Sequence, residues 1–211
     1  MTRANLSGDR VRADDRSVIL TVGHSNVDLT HLLTLLERHG IEGLVDVRSQ
    51  PRSGFSPQFN KAVLERTLSA RDIRYLFGGK ELGGRPDDPS CYDTDGHVLY
   101  GRQSRTPQFL VGIERLETLA RSSRTAIMCS EEDPARCHRH LLLARVLSPR
   151  GWTLDHIRGD GALQPYEAMA DVLSRQRSQE KLFTDDLDED LEWRSIRSVS
   201  PSAAPPSSSA R

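Results

Sequence analysis

Cys129, Cys137, His138 and His140 crowd into one short stretch, with Glu131, Glu132, Asp133, Arg136 and Arg139 among them. A thiolate is a strong nucleophile and a good ligand for soft metals, but only once its pKa is lowered. Arginines, imidazoles and the unpaired backbone N–H groups at a helix start all lower it. The residues before Cys129, Thr125-Ala126-Ile127-Met128, are apolar and read as a buried strand. Those after Arg139, namely Leu141, Leu142, Ala144, Val146 and Leu147, have helical spacing. Cys129 therefore stands where a strand hands over to a helix.

Three chemistries compete for this stretch. Cys129 as a nucleophile is one, although the loop to Arg136 is longer than the phosphate-cradling loop of cysteine phosphatases. Glu131 and Glu132 would also raise the thiol pKa. Metal ligation by Cys129, Cys137 and His138 is carried as an alternative rather than as the assignment. Their spacing is not that of a zinc knuckle, and His140, His24 or Glu131 would have to complete the set. The plain reading makes both cysteines small buried hydrophobes.

Other polar groups also follow apolar runs. His24 and Ser25 come after the run 18–22, and Asp46 and Arg48 after the run 43–47. Asp46 and Glu131 are candidate acid/base carboxylates, against an ordinary ion pair with Arg48, Arg85 or Arg139. Arg48, Arg52, Lys80, Arg85 and Arg139 carry guanidinium or ammonium groups suited to phosphate. Gly83 and Gly84 allow close backbone approach to a ligand. His24 is a candidate base or phosphate donor, with Ser25 beside it. The candidate reacting groups are thus Asp46, Glu131, Cys129 and His24. The candidate binding groups are Ser25, Arg48, Arg52, Gly83, Gly84, Arg85 and Arg139.

The elements that must position these groups alternate strand and helix. Strands are expected at 18–22, 43–47, 73–76, 125–128 and 152–157. Helices are expected from about Asp28 to Gly40, 59–70, from Thr106 or Pro107, after Arg139, and from Tyr166. This predicts an α/β domain with a mostly parallel sheet of about five strands and helices on both faces. In such sheets a ligand crevice forms at the carboxyl ends of the strands, where every polar cluster named above falls. Residues 77–101, rich in Gly, Asp and Pro, are expected to form an irregular functional loop.

The motifs 21–26 (TVGHSN), 39–41 (HGI), 44–53 (LVDVRSQPRS), 82–85 (LGGR), 128–131 (MCSE) and 137–139 (CHR) occur in this order. Together they resemble the bacterial and archaeal family catalogued as domain of unknown function 488, over about residues 18–157. The resemblance implies an α/β domain with a polar site built from these motifs, and no settled activity.

With 211 residues, one domain is expected at 17–177, a disordered lead-in at 1–16 and an acidic, Ser/Pro-rich tail at 178–211. Three cysteines make no disulfide framework, and the formal net charge of -1 gives no global attraction to nucleic acid or anionic membranes. No apolar run is long enough to span a bilayer, and residues 1–17 lack a secretory h-region, so a cytoplasmic protein with no membrane partner is expected. In the tail, Gln179, Leu182 and Phe183 resemble the short peptide by which bacterial polymerases and repair proteins dock on the sliding clamp.

The reading that unites these features is an enzyme-like domain whose crevice accepts an anion, acting on a phosphate-containing small molecule or nucleic-acid component and linked to DNA repair. A non-catalytic nucleotide or nucleic-acid binding module is one alternative. A metal- or redox-responsive Cys/His protein is the other. The cofactor is left open.

Overall fold

A computed structural model describes residues 17–169 and 193–199. The expected lead-in, most of the expected tail and the peptide around Gln179, Leu182 and Phe183 lie outside the described residues.

Strand β1 (Val18–Gly23) leads into helix α1 (Leu29–Arg38), strand β2 (Gly43–Asp46), helix α2 (Lys61–Ser69) and strand β3 (Arg74–Phe77). Short helices α3 (Gly79–Leu82) and α4 (Tyr100–Gln103) interrupt the loop before the long helix α5 (Pro107–Ser122). Strand β4 (Thr125–Cys129) follows. A π-helical turn (Arg139–Ala144) then runs into α6 (Arg145–Leu147), and strands β5 (Thr153–Ile157) and β6 (Leu163–Pro165) close the sheet.

The sheet order is β3-β2-β4-β1-β5-β6, all parallel except β6, which runs antiparallel to β5. The expected mostly parallel α/β architecture is therefore correct, with six strands rather than about five. The added edge strand is only three residues long and half exposed, too short to show a strand pattern in sequence.

Side-chain alternation along the strands builds two cores. Leu20, Val22, Leu44, Ala126 and Met128 pack against α1 and α2 through Leu32, Leu36, Leu64 and Leu68. Ile19, Val45, Ile127 and Cys129 face the other way, against Phe109, Ile113, Leu116, Leu142 and Leu147. The chain therefore leaves β1 towards one face and leaves the neighbouring β4 towards the other. That divergence opens a crevice at the carboxyl ends of β1 and β4. In register, Gly23 lies beside Cys129 and Asp46 beside Met128.

Part of the expected tail is folded. The indole N–H of Trp193 donates to the Leu141 carbonyl at 2.7 Å, and Arg145 lies 4.4 Å over the Trp193 ring. Tyr100 N–H donates to the Trp193 carbonyl, Ser195 N–H to Val98, and Val199 N–H to Gly96. Residues 193–199 thus form a strap along the loop that precedes α5. A charged run on one side and a Ser/Pro-rich run on the other hide these few anchoring residues from a composition-based reading.

Among the described residues, no helix is long and apolar enough to cross a membrane.

Candidate functional site

The crevice holds a pocket of about 370 Å³. Cys129, Cys137 and His138 line it, together with Arg48, Gly84, Arg85, Tyr100, Glu131, Arg136 and Arg197. Two wider depressions, of about 620 and 610 Å³, lie on the flanks and are lined by neither thiol nor imidazole. The chemistry is concentrated at the sheet edge.

Cys129 is the last residue of β4, and its side chain is nearly enclosed. The loop that follows is pinned on both sides. Glu132 receives two hydrogen bonds from Arg158 at 3.0 Å each, and a third from Gly159 N–H. Asp133 caps the turn at Ala135. This returns the chain to the sheet edge, so that Cys137 Sγ and His138 Nδ1 meet Cys129 Sγ. The imidazole Nδ1 is 3.8 Å from Cys129 Sγ and 3.9 Å from Cys137 Sγ.

The thiols are not equivalent. Cys129 is held well below the usual thiol pKa, chiefly because the Cys137 thiol donates to it. Burial opposes this, and His138 and the Glu131 backbone N–H reinforce it. Cys137 is pushed well above its usual value, by burial first and by the Cys129 thiolate next. Of the two thiols, Cys129 is the one whose surroundings favour the thiolate. Tyr100, on the same wall, also has a raised pKa, from burial and from the two neighbouring thiols.

Close loop contacts require the glycines. A Cβ on Gly23 would lie 1.9 Å from the Glu131 carbonyl oxygen, and one on Gly79 would lie 2.0 Å from that of Arg48. One on Gly84 would lie 2.9 Å from His138 Nδ1. Ser25, at φ 44°, takes a left-handed turn that most residues avoid, and its N–H donates to the Ser130 carbonyl.

Asp46 and His24 serve Arg48 rather than the pocket. Asp46 is fully buried and accepts from Arg48 Nε at 2.8 Å and Nη2 at 2.6 Å, and from the Tyr75 hydroxyl at 2.7 Å. Every side-chain lone pair within reach is taken, so the geometry favours an ion pair over an acid/base carboxylate. His24 stacks on Phe59 at 4.2 Å, and its Nδ1–H donates to the Ser25 carbonyl at 2.7 Å. Its Nε2 accepts from Arg48 at 3.1 Å. The His24 pKa is lowered, by burial first and by the Arg48 charge second, which matches this neutral tautomer. With Nε2 occupied, His24 orients Arg48 and has no nitrogen left to act as a base. Neither His24 nor Asp46 lines the pocket.

The remaining candidates divide in the same way. Arg85 and Gly84 reach the pocket, as does Glu131. Gly83 instead packs on Gly79 and Ser49, and the exposed Arg52 and Lys80 do not line the cavity. Arg139 is fully buried behind the site, where it donates to the Glu132 carbonyl and to Thr21 Oγ1. Thr21 Oγ1 lies 2.7 Å from His156 Nδ1, and His156 Nε2 lies 2.9 Å from His140 Nδ1. Arg139 can only donate, so Thr21 Oγ1 accepts from it. Arg139 opens the buried π-helical turn, a helix type that recurs at functional sites.

Tyr100, Arg136 and Arg197 were not among the predicted binding groups. Arg136 had a signal, being adjacent to Cys137. Arg197 had none, because only the strap brings it to the pocket.

This fold and site define an α/β protein with a thiol–imidazole centre at the carboxyl edge of a parallel sheet. The chain belongs to the family described as Domain of unknown function DUF488, which matches residues 28–146. The match is shorter than the motif resemblance: it omits His24 and Ser25. No curated protein and no solved structure matches the chain.

Proposed function

We propose that the chain is an enzyme acting on a phosphate-bearing substrate of the nucleotide or nucleic-acid class. One observation carries the reading: Cys129, the thiol whose pKa its surroundings lower, lines a pocket whose walls carry Arg85, Arg136 and Arg197. Guanidinium groups hold phosphate through paired N–H donors. Arg48 adds a fourth cation, already neutralised by Asp46, so it contributes direction more than net charge. Among the described lining residues Glu131 is the carboxylate, and it is the group available to exchange a proton with a substrate.

The link to DNA repair rests on Gln179, Leu182 and Phe183, whose pattern supports docking to a sliding clamp. A synthetic peptide of residues 177–185 should bind a bacterial clamp, and replacing Leu182 and Phe183 with Ala should abolish that binding.

The test of the pocket is a thermal-shift screen of inorganic phosphate, mononucleotides and short oligonucleotides. A phosphate-bearing ligand should raise the melting temperature, and Arg136→Ala should weaken its binding by roughly 10-fold or more, as expected for a charge-assisted contact. Binding that is equal in wild type, Arg85→Ala and Arg136→Ala would remove the pocket from the account.

A further inference from the structure

The geometry points to a metal site: Cys129, Cys137 and His138 together bind a borderline-soft divalent cation of the zinc class, with its fourth position open to the pocket. This deepens the proposed function and rests on it for the substrate, because a ligand entering the fourth position would be the anion held by the arginines.

The two Sγ atoms and His138 Nδ1 all lie within 4.8 Å of one another, and the two sulfur–nitrogen edges measure 3.8 and 3.9 Å. In a tetrahedral zinc site, bonds of about 2.3 Å to sulfur and about 2.0 Å to nitrogen imply sulfur–nitrogen edges of roughly 3.5 Å and sulfur–sulfur edges of roughly 3.8 Å. The three atoms are already near the corners of one face of that tetrahedron. Small side-chain adjustments would bring them in.

A second observation concerns the imidazole's own hydrogen bonding. His138 is only 9 % exposed, and its Nε2 is buried without a hydrogen-bond partner. Its Nδ1 makes only the two long sulfur contacts. Nδ1 therefore has no strong partner, which a bound ion would supply, with the ring proton then held on Nε2. A ligand bond at Nδ1 would offset the cost of burying the ring.

The donor set decides the class of ion. Two thiolates with one imidazole suit zinc and exclude magnesium or calcium, which want oxygen. Three protein ligands leave one position, the arrangement of a catalytic rather than a structural zinc. All three ligands line the pocket, so the open position faces the cavity bounded by Arg85 and Arg136. The loop needs no new hinge, since Glu132 with Arg158 and Asp133 with Ala135 already hold the 129–137 span closed. Binding releases a proton from each thiol that still carries one.

The full chain, reduced and stripped with a chelator, is titrated with Co²⁺ as a spectroscopic probe. The expected result is one cobalt per chain, with a thiolate-to-cobalt charge-transfer band and the d–d absorption of a tetrahedral site. Zn²⁺ should displace it stoichiometrically. Cys137→Ser should lower the band, and His138→Gln should weaken binding about 10-fold or more. Circular dichroism confirms that each variant is folded. A folded wild type that shows no charge-transfer band overturns the inference, whatever the variants do. Running the nucleotide screen on the same metal-free protein separates the two claims. Nucleotide binding without a cobalt band sinks the metal site and leaves the functional reading standing. A cobalt site without any phosphate or nucleotide binding does the reverse.

Discussion

Replacing Asp46 with Asn should cost stability before it costs chemistry. The carboxylate is fully buried, accepts from Arg48 twice through the guanidinium and once through the backbone N–H, and accepts from the Tyr75 hydroxyl. An amide keeps one acceptor and turns an N–H towards a guanidinium N–H. It also leaves Arg48, itself only 5 % exposed, without its counter-charge. Breaking one partner of a buried pair typically costs about 3–5 kcal/mol. For a chain of this size, that corresponds to a fall in melting temperature of about 6–20 °C. Tyr75→Phe removes a single hydrogen bond to a charged group and should cost less, about 1.5–3 kcal/mol. Urea unfolding of the three proteins measures both values. A variant at Asp46 with wild-type stability but no turnover would show that the carboxylate acts on substrate, and the positioning role drawn here would be wrong.

Two further perturbations read other parts of the structure. Burial is the largest reason the His156 pKa falls to about 3, with the nearby His140 next, so His156 stays neutral in the folded chain while the unfolded chain protonates it near pH 6.5. The unfolded state then binds the extra proton, so this contribution is complete above about pH 6.5 and is lost as pH falls towards about 3. Between pH 6.5 and 4.5 the loss should be about 2–3 kcal/mol and should be missing from His156→Leu, a difference that urea unfolding at several pH values measures. Gly84→Ala puts a Cβ 2.9 Å from His138 Nδ1. It should displace the imidazole and shift its NMR signals with little change in overall stability, and an unchanged His138 spectrum would count against the packing described here.

Much of the sheet was legible because its physics is local. Runs such as Val18–Val22 and Thr125–Met128 are apolar on both faces, and that alone announces a buried parallel strand. Thr106 does cap α5, with its Oγ1 accepting from Phe109 N–H, and Gly40 does take a positive φ of 62° after α1. Arg48, Arg85, Cys129 and Glu131 line one cavity, whereas His24 and Asp46, expected at the same rim, do not. What sequence could not show was which side of the sheet edge each group faces. Asp46 packs towards α2 and Cys129 towards α5, although their strands are neighbours. An alternation pattern predicts faces along one strand, but it does not fix the phase between strands. The strap was hidden for a different reason. Its hold depends on a few anchors, Trp193 above all, rather than on any periodic pattern. The shared centre of Cys129, Cys137 and His138 stands in the sequence only as an alternative, because the turn that closes it depends on Arg158, far along the chain.

The most direct measurement is the pH profile of alkylation at Cys129, resolved by peptide mapping in reduced, chelator-treated protein. The account predicts that Cys129 reacts with a midpoint well below the ordinary thiol value of about 8.5, while Cys137 and Cys91 stay largely unmodified at neutral pH, and that a bound phosphate ligand slows the reaction. An ordinary or raised midpoint at Cys129, or reaction at Cys137 first, would contradict it.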